Sequence, residues 1–179
     1  MAKFQNGDLF GIKSFDFFGL LVQLGEFFTK PRFGGEYQYT HTGMIVVKDN
    51  MDYVAEAIGE GFCLTPLANY DKKKWVIKRM TRIIPSQQEK LGAEALKRTT
   101  EKPVYNWGQT IWLGFAKLFR IEALPNPFKK EGSVNCSYGV ADIYFDLGVH
   151  VFKDYKTGNT DPKDVMTDTA FYIVQVNNC

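Results

Sequence analysis

At 179 residues, with 45% hydrophobic and 15% aromatic content, the chain is long enough to bury a real core in one domain. Its formal net charge is only +2, and its longest run of like charge is Lys72-Lys73-Lys74, which speaks against nucleic acid as the main partner, because a phosphate-binding surface carries a clearer basic excess. The three cysteines, Cys63, Cys136 and Cys179, match no zinc spacing or disulfide framework, and no apolar run reaches the roughly 18–20 residues that span a bilayer.

Residues 1–179 read as a single domain. The start, Met1 to Asp8, has no apolar core of signal-peptide type. A reduced, cytoplasmic setting is therefore expected, with release by lysis or packaging in a particle as the exceptions.

In chain order, Gly7-Asp8-Leu9-Phe10-Gly11-Ile12 reads as a turn and a short strand. Phe15 to Phe28 has helical apolar spacing and few polar positions; it reads as a core helix, with a hydrophobic wall beside a cleft as the sharper alternative. Pro31 to Tyr39 is a loop with Gly34-Gly35 in it. Thr40 to Lys48 is a buried strand with His41 at its head, Asp49-Asn50 a hairpin turn, and Asp52 to Ile58 the return strand. Gly59-Glu60-Gly61 turns the chain into a third strand at Phe62-Cys63-Leu64. Pro66 to Tyr70 is a loop or short helix, and Trp75 to Met80 a fourth strand.

After Pro85 the period changes to helical. Gln87 to Thr99 places Leu91, Ala95 and Leu96 on one face and stops at Lys102-Pro103. Ile111 to Phe119 reads as an amphipathic helix, and Leu124 to Lys130 as a loop. Ser133 and Asn135 are capping types ahead of a helix whose apolar face is Val140, Ile143, Tyr144 and Leu147 and whose end is Gly148. Lys153 to Asp168 is polar, with turn signals at Thr157-Gly158-Asn159 and Asp161-Pro162; Phe171 to Val176 is a last strand. Strands in a meander, then helices, then a final strand define an α+β class.

Cys136 falls in the first turn of its helix, where unpaired N–H groups and the dipole favour thiolate. A nucleophile there needs a base and a group to orient it. Of the two histidines, His150 is set apart by the helix itself, 14 residues or roughly 20 Å. His41, at a strand head, can face a helix N-terminus. If the hairpin turns tightly at Asn50, Glu56 falls roughly across from residues 43–45, diagonal to His41. Plainer readings account for each residue as well: Cys136 as a small core residue, His41 as structural, Glu56 as facing water. Cys63 and Cys179 read as spectators, and Tyr105 and Trp107 as packing residues.

The motifs Gly7-Asp8-Leu9-Phe10, Thr40-His41-Thr42-Gly43-Met44-Ile45, Val54-Ala55-Glu56-Ala57, Gly61 to Leu67, Pro103 to Trp107 and Asn135-Cys136-Ser137 occur in this order. Together they resemble the permuted branch of the NlpC/P60 superfamily, the YiiX-like papain-fold hydrolases, over roughly residues 7–145. There the histidine precedes the cysteine. The resemblance implies a permuted papain-like fold, with an antiparallel sheet or small barrel packed against helices. It implies Cys136 as nucleophile, His41 as base and Glu56 as the residue orienting it, with no metal and no organic cofactor. The chain departs from the pattern at Thr40-His41-Thr42-Gly43 (for Ser-His-Val-Gly), at Tyr105-Asn106-Trp107 (for Tyr-Asp-Trp) and at Cys136-Ser137-Tyr138, where the acidic residue of Cys-Ser-Glu is lost.

The implied activity is thiol-dependent cleavage of an amide bond through an acyl-enzyme. The substrate is a peptide, a cell-wall peptide or an acyl lipid, with Arg32 and Glu36 as contributors to polar recognition. The alternatives are a lipid-directed thioesterase or acyltransferase, favoured if residues 107–119 expose their Trp and Phe side chains beside the site, and an inactive binding or structural module. Membrane contact has no direct support in the sequence, and oligomeric state is not encoded in any feature identified.

Overall fold

Asp49 and Asn50 both take positive φ, 51° and 58°, the paired left-handed geometry that matches the twist of two antiparallel strands. That turn joins β2 (His41–Lys48) to β3 (Met51–Ile58) with Met44 opposite Ala55. The computed structural model describes residues 3–12, 39–119, 121, 123–152, 155–156 and 158–177. The aromatic run 15–28, Arg32, Glu36 and Cys179, on which expectations were placed above, lie outside the described residues.

The other strands of the sheet are β1 (Leu9–Ile12), β4 (Gly61–Pro66), β5 (Trp75–Met80) and β8 (Phe171–Asn177). Their order is β4-β3-β2-β1-β5-β8, antiparallel throughout. Three longer helices are α1 (Pro85–Glu101), α2 (Trp107–Phe119) and α3 (Cys136–Asp146). A two-residue parallel ladder, β6 (Val104–Tyr105) with β7 (Ser133–Val134), was not anticipated from the sequence. Neither was α4 (Pro162–Thr167): Asp161-Pro162, read above as a turn, is instead a helix start. Asp161 accepts from the Asp164 amide and Asp164 reciprocates, with Pro162 in the first turn.

Strand alternation sorts the core into two layers. Leu9, Met44, Val46, Ala55 and Ala57 face α1, α3 and α4, meeting Leu91, Val140, Ile143, Tyr144 and Met166. Phe10, Ile12, Ile45, Val54 and Ile77 form the opposite layer with Phe4, Leu67 and Trp75. Each fully buried large apolar side chain stabilises the fold by about 1.5–3 kcal/mol, so α3, with eight of its eleven residues buried, is held chiefly by this packing.

The Gly7-Asp8 start has a structural role. Gly7 sits at φ +85°, and a Cβ there would stand 2.6 Å from Leu91 Cδ1, so only glycine fits both the backbone and the space. Asp8 accepts from Arg79 Nε and Nη2, each at 2.7 Å, and from the Gln5 amide at 3.0 Å. Among the described residues no helix is long and apolar enough to cross a membrane.

Candidate active site

Asn135 has extended backbone (φ −109°, ψ 178°), and its side chain accepts from the Tyr138 amide at 2.7 Å. It is therefore the N-cap, and Cys136 is the first residue of α3. The first N–H groups of a helix have no intrahelical acceptor. With the Tyr138 amide taken by the cap, those of Cys136 and Ser137 remain at the helix end beside the sulfur. The Ser137 hydroxyl donates to the Thr160 carbonyl at 2.7 Å and lies 3.1 Å from Asn135 Oδ1. This ties the Cys136 end of the helix to the segment leading into α4. Cys136 itself is 7% exposed.

His41 opens β2, and Glu56 lies in β3. Extending the observed register by one pair sets Glu56 opposite Gly43, two residues from His41 on the same face. A Cβ at Gly43 would approach Glu56 Cβ to 3.2 Å and the Ala55 carbonyl to 3.0 Å. The missing side chain leaves Glu56 room to lean across, and His41 Nε2 meets Glu56 Oε2 at 2.6 Å. The alternation of β2 points Thr42, Met44 and Val46 at the helices and His41 the other way, with Ile45. His41 reaches α3 because it is the terminal residue of the strand, and its ring comes close enough to Cys136 for the thiol to raise the imidazole pKa. Nε2 is engaged by Glu56, so Nδ1 is the nitrogen for the thiol.

The electrostatics follow from these partners. Burial works against a charged imidazole, but hydrogen bonds to Cys136 and Glu56, and their charges, outweigh it; His41 is pushed up from 6.5 to about 10. Burial likewise works against the Glu56 carboxylate. The hydrogen bond and charge of His41, with hydrogen bonds from Thr65 and Tyr70, overcome it and hold Glu56 below its ordinary value. Tyr70 donates to Glu56 Oε1 at 2.6 Å.

Sequence reasoning named His41, Glu56 and Cys136, and the structure brings these three together. It did not name Tyr70 or Thr65. Thr65 is on β4, and Tyr70 closes a 3-10 turn, Leu67–Tyr70, that carries its ring back over the sheet. The only available signal was their place in and just after the Gly61–Leu67 motif. Cys63, opposite Glu56 in the register, lies 3.7 Å from the Thr65 hydroxyl and is pushed up chiefly by burial. His150 is exposed and lies edge-on to Phe145, at the far end of α3. Tyr105 is partly buried in the helix-side core, and Trp107, also expected to pack, is 37% exposed with its ring centroid 4.4 Å from that of Tyr105.

An antiparallel sheet against a helix that starts at a cysteine, with the histidine earlier in the chain, is a papain-like architecture of the permuted kind. The fold matches the crystal structure of the metalloprotein yiiX from Escherichia coli O157:H7, with a TM-score of 0.67 over 96% of this chain and 96% of that one, at 19% identity. No protein-family profile and no curated protein matches the sequence. Among the described residues, no group of three or more His, Cys, Asp and Glu could hold a metal ion.

Proposed function

We propose that the chain is a thiol hydrolase of the permuted NlpC/P60 type that cleaves an amide bond, with Cys136 as nucleophile, His41 as base and Glu56 orienting His41. The observation that carries this reading is one imidazole that meets a buried carboxylate at 2.6 Å and stands against a thiol at a helix N-terminus.

His41 takes the thiol proton. The Cys136 sulfur attacks the carbonyl carbon, and the amides of Cys136 and Ser137 donate to the resulting oxyanion. Collapse breaks the C–N bond as His41 gives its proton to the leaving amine. Water, deprotonated by His41, then cleaves the thioester and restores the thiol. Glu56 keeps the ring oriented and stabilises its charged form, and Tyr70 with Thr65 keeps Glu56 in place. The similar metalloprotein raises the question of a metal. Among the described residues, Nε2 is engaged by Glu56 and the site offers one further nitrogen and one sulfur, fewer donors than a structural or catalytic zinc takes.

The test is alkylation of Cys136 read by mass spectrometry from pH 4 to 9. Reaction well below the ordinary thiol pKa of about 8.5, lost in His41→Ala, is the expected result. An unreactive or ordinary thiol in both proteins would move the inactive binding module to the front. One observation favours the lipid-directed alternative over a cell-wall peptide: Ile111, Phe115 and Phe119 are 64%, 48% and 58% exposed on the helix that follows β6, the partner of the strand leading to Cys136.

A further inference from the structure

Asparagine, aspartate and serine cap a helix about equally well, so capping alone does not account for the asparagine ahead of Cys136. Its side-chain oxygen does the capping: Oδ1 accepts from the Tyr138 amide at 2.7 Å and lies 3.1 Å from the Ser137 hydroxyl. Its nitrogen takes no part. Nδ2 is shut off from solvent, in a residue that is 1% exposed, and has no hydrogen-bond partner among the described residues. A buried donor without an acceptor is costly, and serine would cap without carrying one.

The carboxamide cannot be turned the other way, because that would set its NH2 against the Tyr138 N–H, donor against donor. Oδ1 and Nδ2 share one carbon, so the cap that holds the oxygen keeps the nitrogen at the end of α3, in the residue next to Cys136. The Ser137 hydroxyl, donating to the Thr160 carbonyl at 2.7 Å, pins the same turn.

The titratable groups around this end are engaged with one another. His41 meets Glu56, Asp161 and Asp164 cap each other's amides at the start of α4, and Tyr138 stacks on Tyr155 with ring centroids 5.2 Å apart. The Cys136 sulfur, adjacent in the chain, is not a partner of Nδ2 either. The acceptor that fits is one that the reaction creates: the oxygen of an acyl group being bonded to that sulfur. A donor already held at a helix N-terminus, where the dipole favours negative charge, needs no reorganisation to receive it.

We infer that the Asn135 carboxamide is a side-chain donor to the oxyanion formed on Cys136, joining the backbone amides of Cys136 and Ser137. The inference rests on the thiol-hydrolase reading and adds a residue to it.

The test compares two reactions of the same thiol in the native chain and in Asn135→Ser, which keeps a capping oxygen and removes the NH2. Acylation by p-nitrophenyl acetate passes through an oxyanion: the Sγ–C bond forms as the carbonyl pair moves onto oxygen, and that pair returns as the C–O bond to nitrophenolate breaks. Alkylation by iodoacetamide displaces iodide at a saturated carbon and forms no oxyanion. Acylation should fall on the order of 100-fold, while the alkylation profile from pH 4 to 9 and the thermal unfolding stay as in the native chain. Asn135→Asp, which keeps the cap and the shape but has no NH2, should acylate no faster than the serine variant. A serine variant that acylates like the native chain overturns the inference and leaves the hydrolase reading standing. Acylation and alkylation falling together overturns it too, because the residue then only supports the helix end. A native Cys136 that alkylates as an ordinary thiol and takes no acetyl group overturns the hydrolase reading, and the inference with it.

Discussion

Two buried carboxylates, one at the start of β1 and one in β3, are alike in burial and in the distance to a partly buried cation. Asp8 lies 2.7 Å from Arg79, with side chains 2% and 20% exposed; Glu56 lies 2.6 Å from His41, with side chains 0% and 19% exposed. Both also accept from a further donor, Asp8 from the Gln5 amide and Glu56 from Tyr70. The difference is the cation. A guanidinium stays charged at any pH the fold survives, so Asp8–Arg79 is a fixed tie between the start of β1 and β5. An imidazole can give up its proton and has a second nitrogen, which here faces a thiol. Burial and pairing are therefore common to both; only a partner that can change state, with something to pass the proton to, marks a candidate active site.

The largest expected effect separates the two pairs by reactivity. At pH 6 a thiol of pKa about 8.5 is roughly 0.3% ionised. His41→Ala should therefore slow Cys136 alkylation at that pH on the order of 100-fold, allowing for the higher intrinsic nucleophilicity of a more basic thiolate. Asp8→Asn should leave the rate unchanged. Equal losses in both variants would erase the distinction.

Stability should divide them the other way. Asp8→Asn leaves a partly buried Arg79 without its anion, a change that costs about 3 kcal/mol, the lower end of the range for breaking a buried pair. At about 2–4 °C per kcal/mol for a chain this size, the melting temperature should fall on the order of 10 °C, measured by calorimetry.

Glu56→Gln keeps the shape and removes the charge. Alkylation at pH 6 should fall about 10-fold, and the His41 ring resonance in NMR, which should not titrate between pH 5 and 8 in the native chain, should move down into that range. The pH dependence of stability has a definite sign. His41 in the fold titrates at about 10, above its ordinary 6.5, so its contribution is complete below 6.5 and lost as pH rises toward 10. Glu56 is lowered from 4.5, so its contribution is complete above that value and lost as pH falls through its lower folded value. Urea unfolding should therefore find a decline on the alkaline side that Glu56→Gln flattens. The smallest effect is Tyr70→Phe, which removes one hydrogen bond to Glu56 and should cost about 1 kcal/mol, with a few-fold loss of alkylation rate.

Much of this arrangement was legible in the sequence because it rests on local rules. The Asp49-Asn50 turn placed Glu56 roughly across from residues 43–45, diagonal to His41, and the observed register sets it opposite Gly43; that Cys136, His41 and Glu56 belong together came from the resemblance. Asn135 before an apolar period fixed the start of α3. What was missed depends on long-range return of the chain or on elements too short to show a period. Tyr70 meets Glu56 only because the 3-10 turn folds back over the sheet. α4 has six residues and β6 and β7 two each, too few for periodicity to register. For α2, the apolar spacing gave the helix but not its rotation, and its start came four residues earlier than the expected Ile111. Rotation is set by Gln109 and Asn126, which both donate to the Gly158 carbonyl, and burial of two amide side chains is not an outcome that hydrophobic patterning anticipates.

The placement of β1 between β2 and β5, with β8 added last beyond β5, bears on how the molecule is made. During synthesis from the N-terminus, the hairpin carrying His41 and Glu56, and the turn carrying Tyr70, leave the ribosome before the segment carrying Cys136 exists. The imidazole and the carboxylate come from near neighbours in the chain, whereas the thiol must come from 95 residues further along and dock as a helix. A chain that stops short of α3 therefore has both residues of the His41–Glu56 pair and lacks Cys136. Any reactivity of Cys136 that depends on His41 is a report that the chain has finished folding.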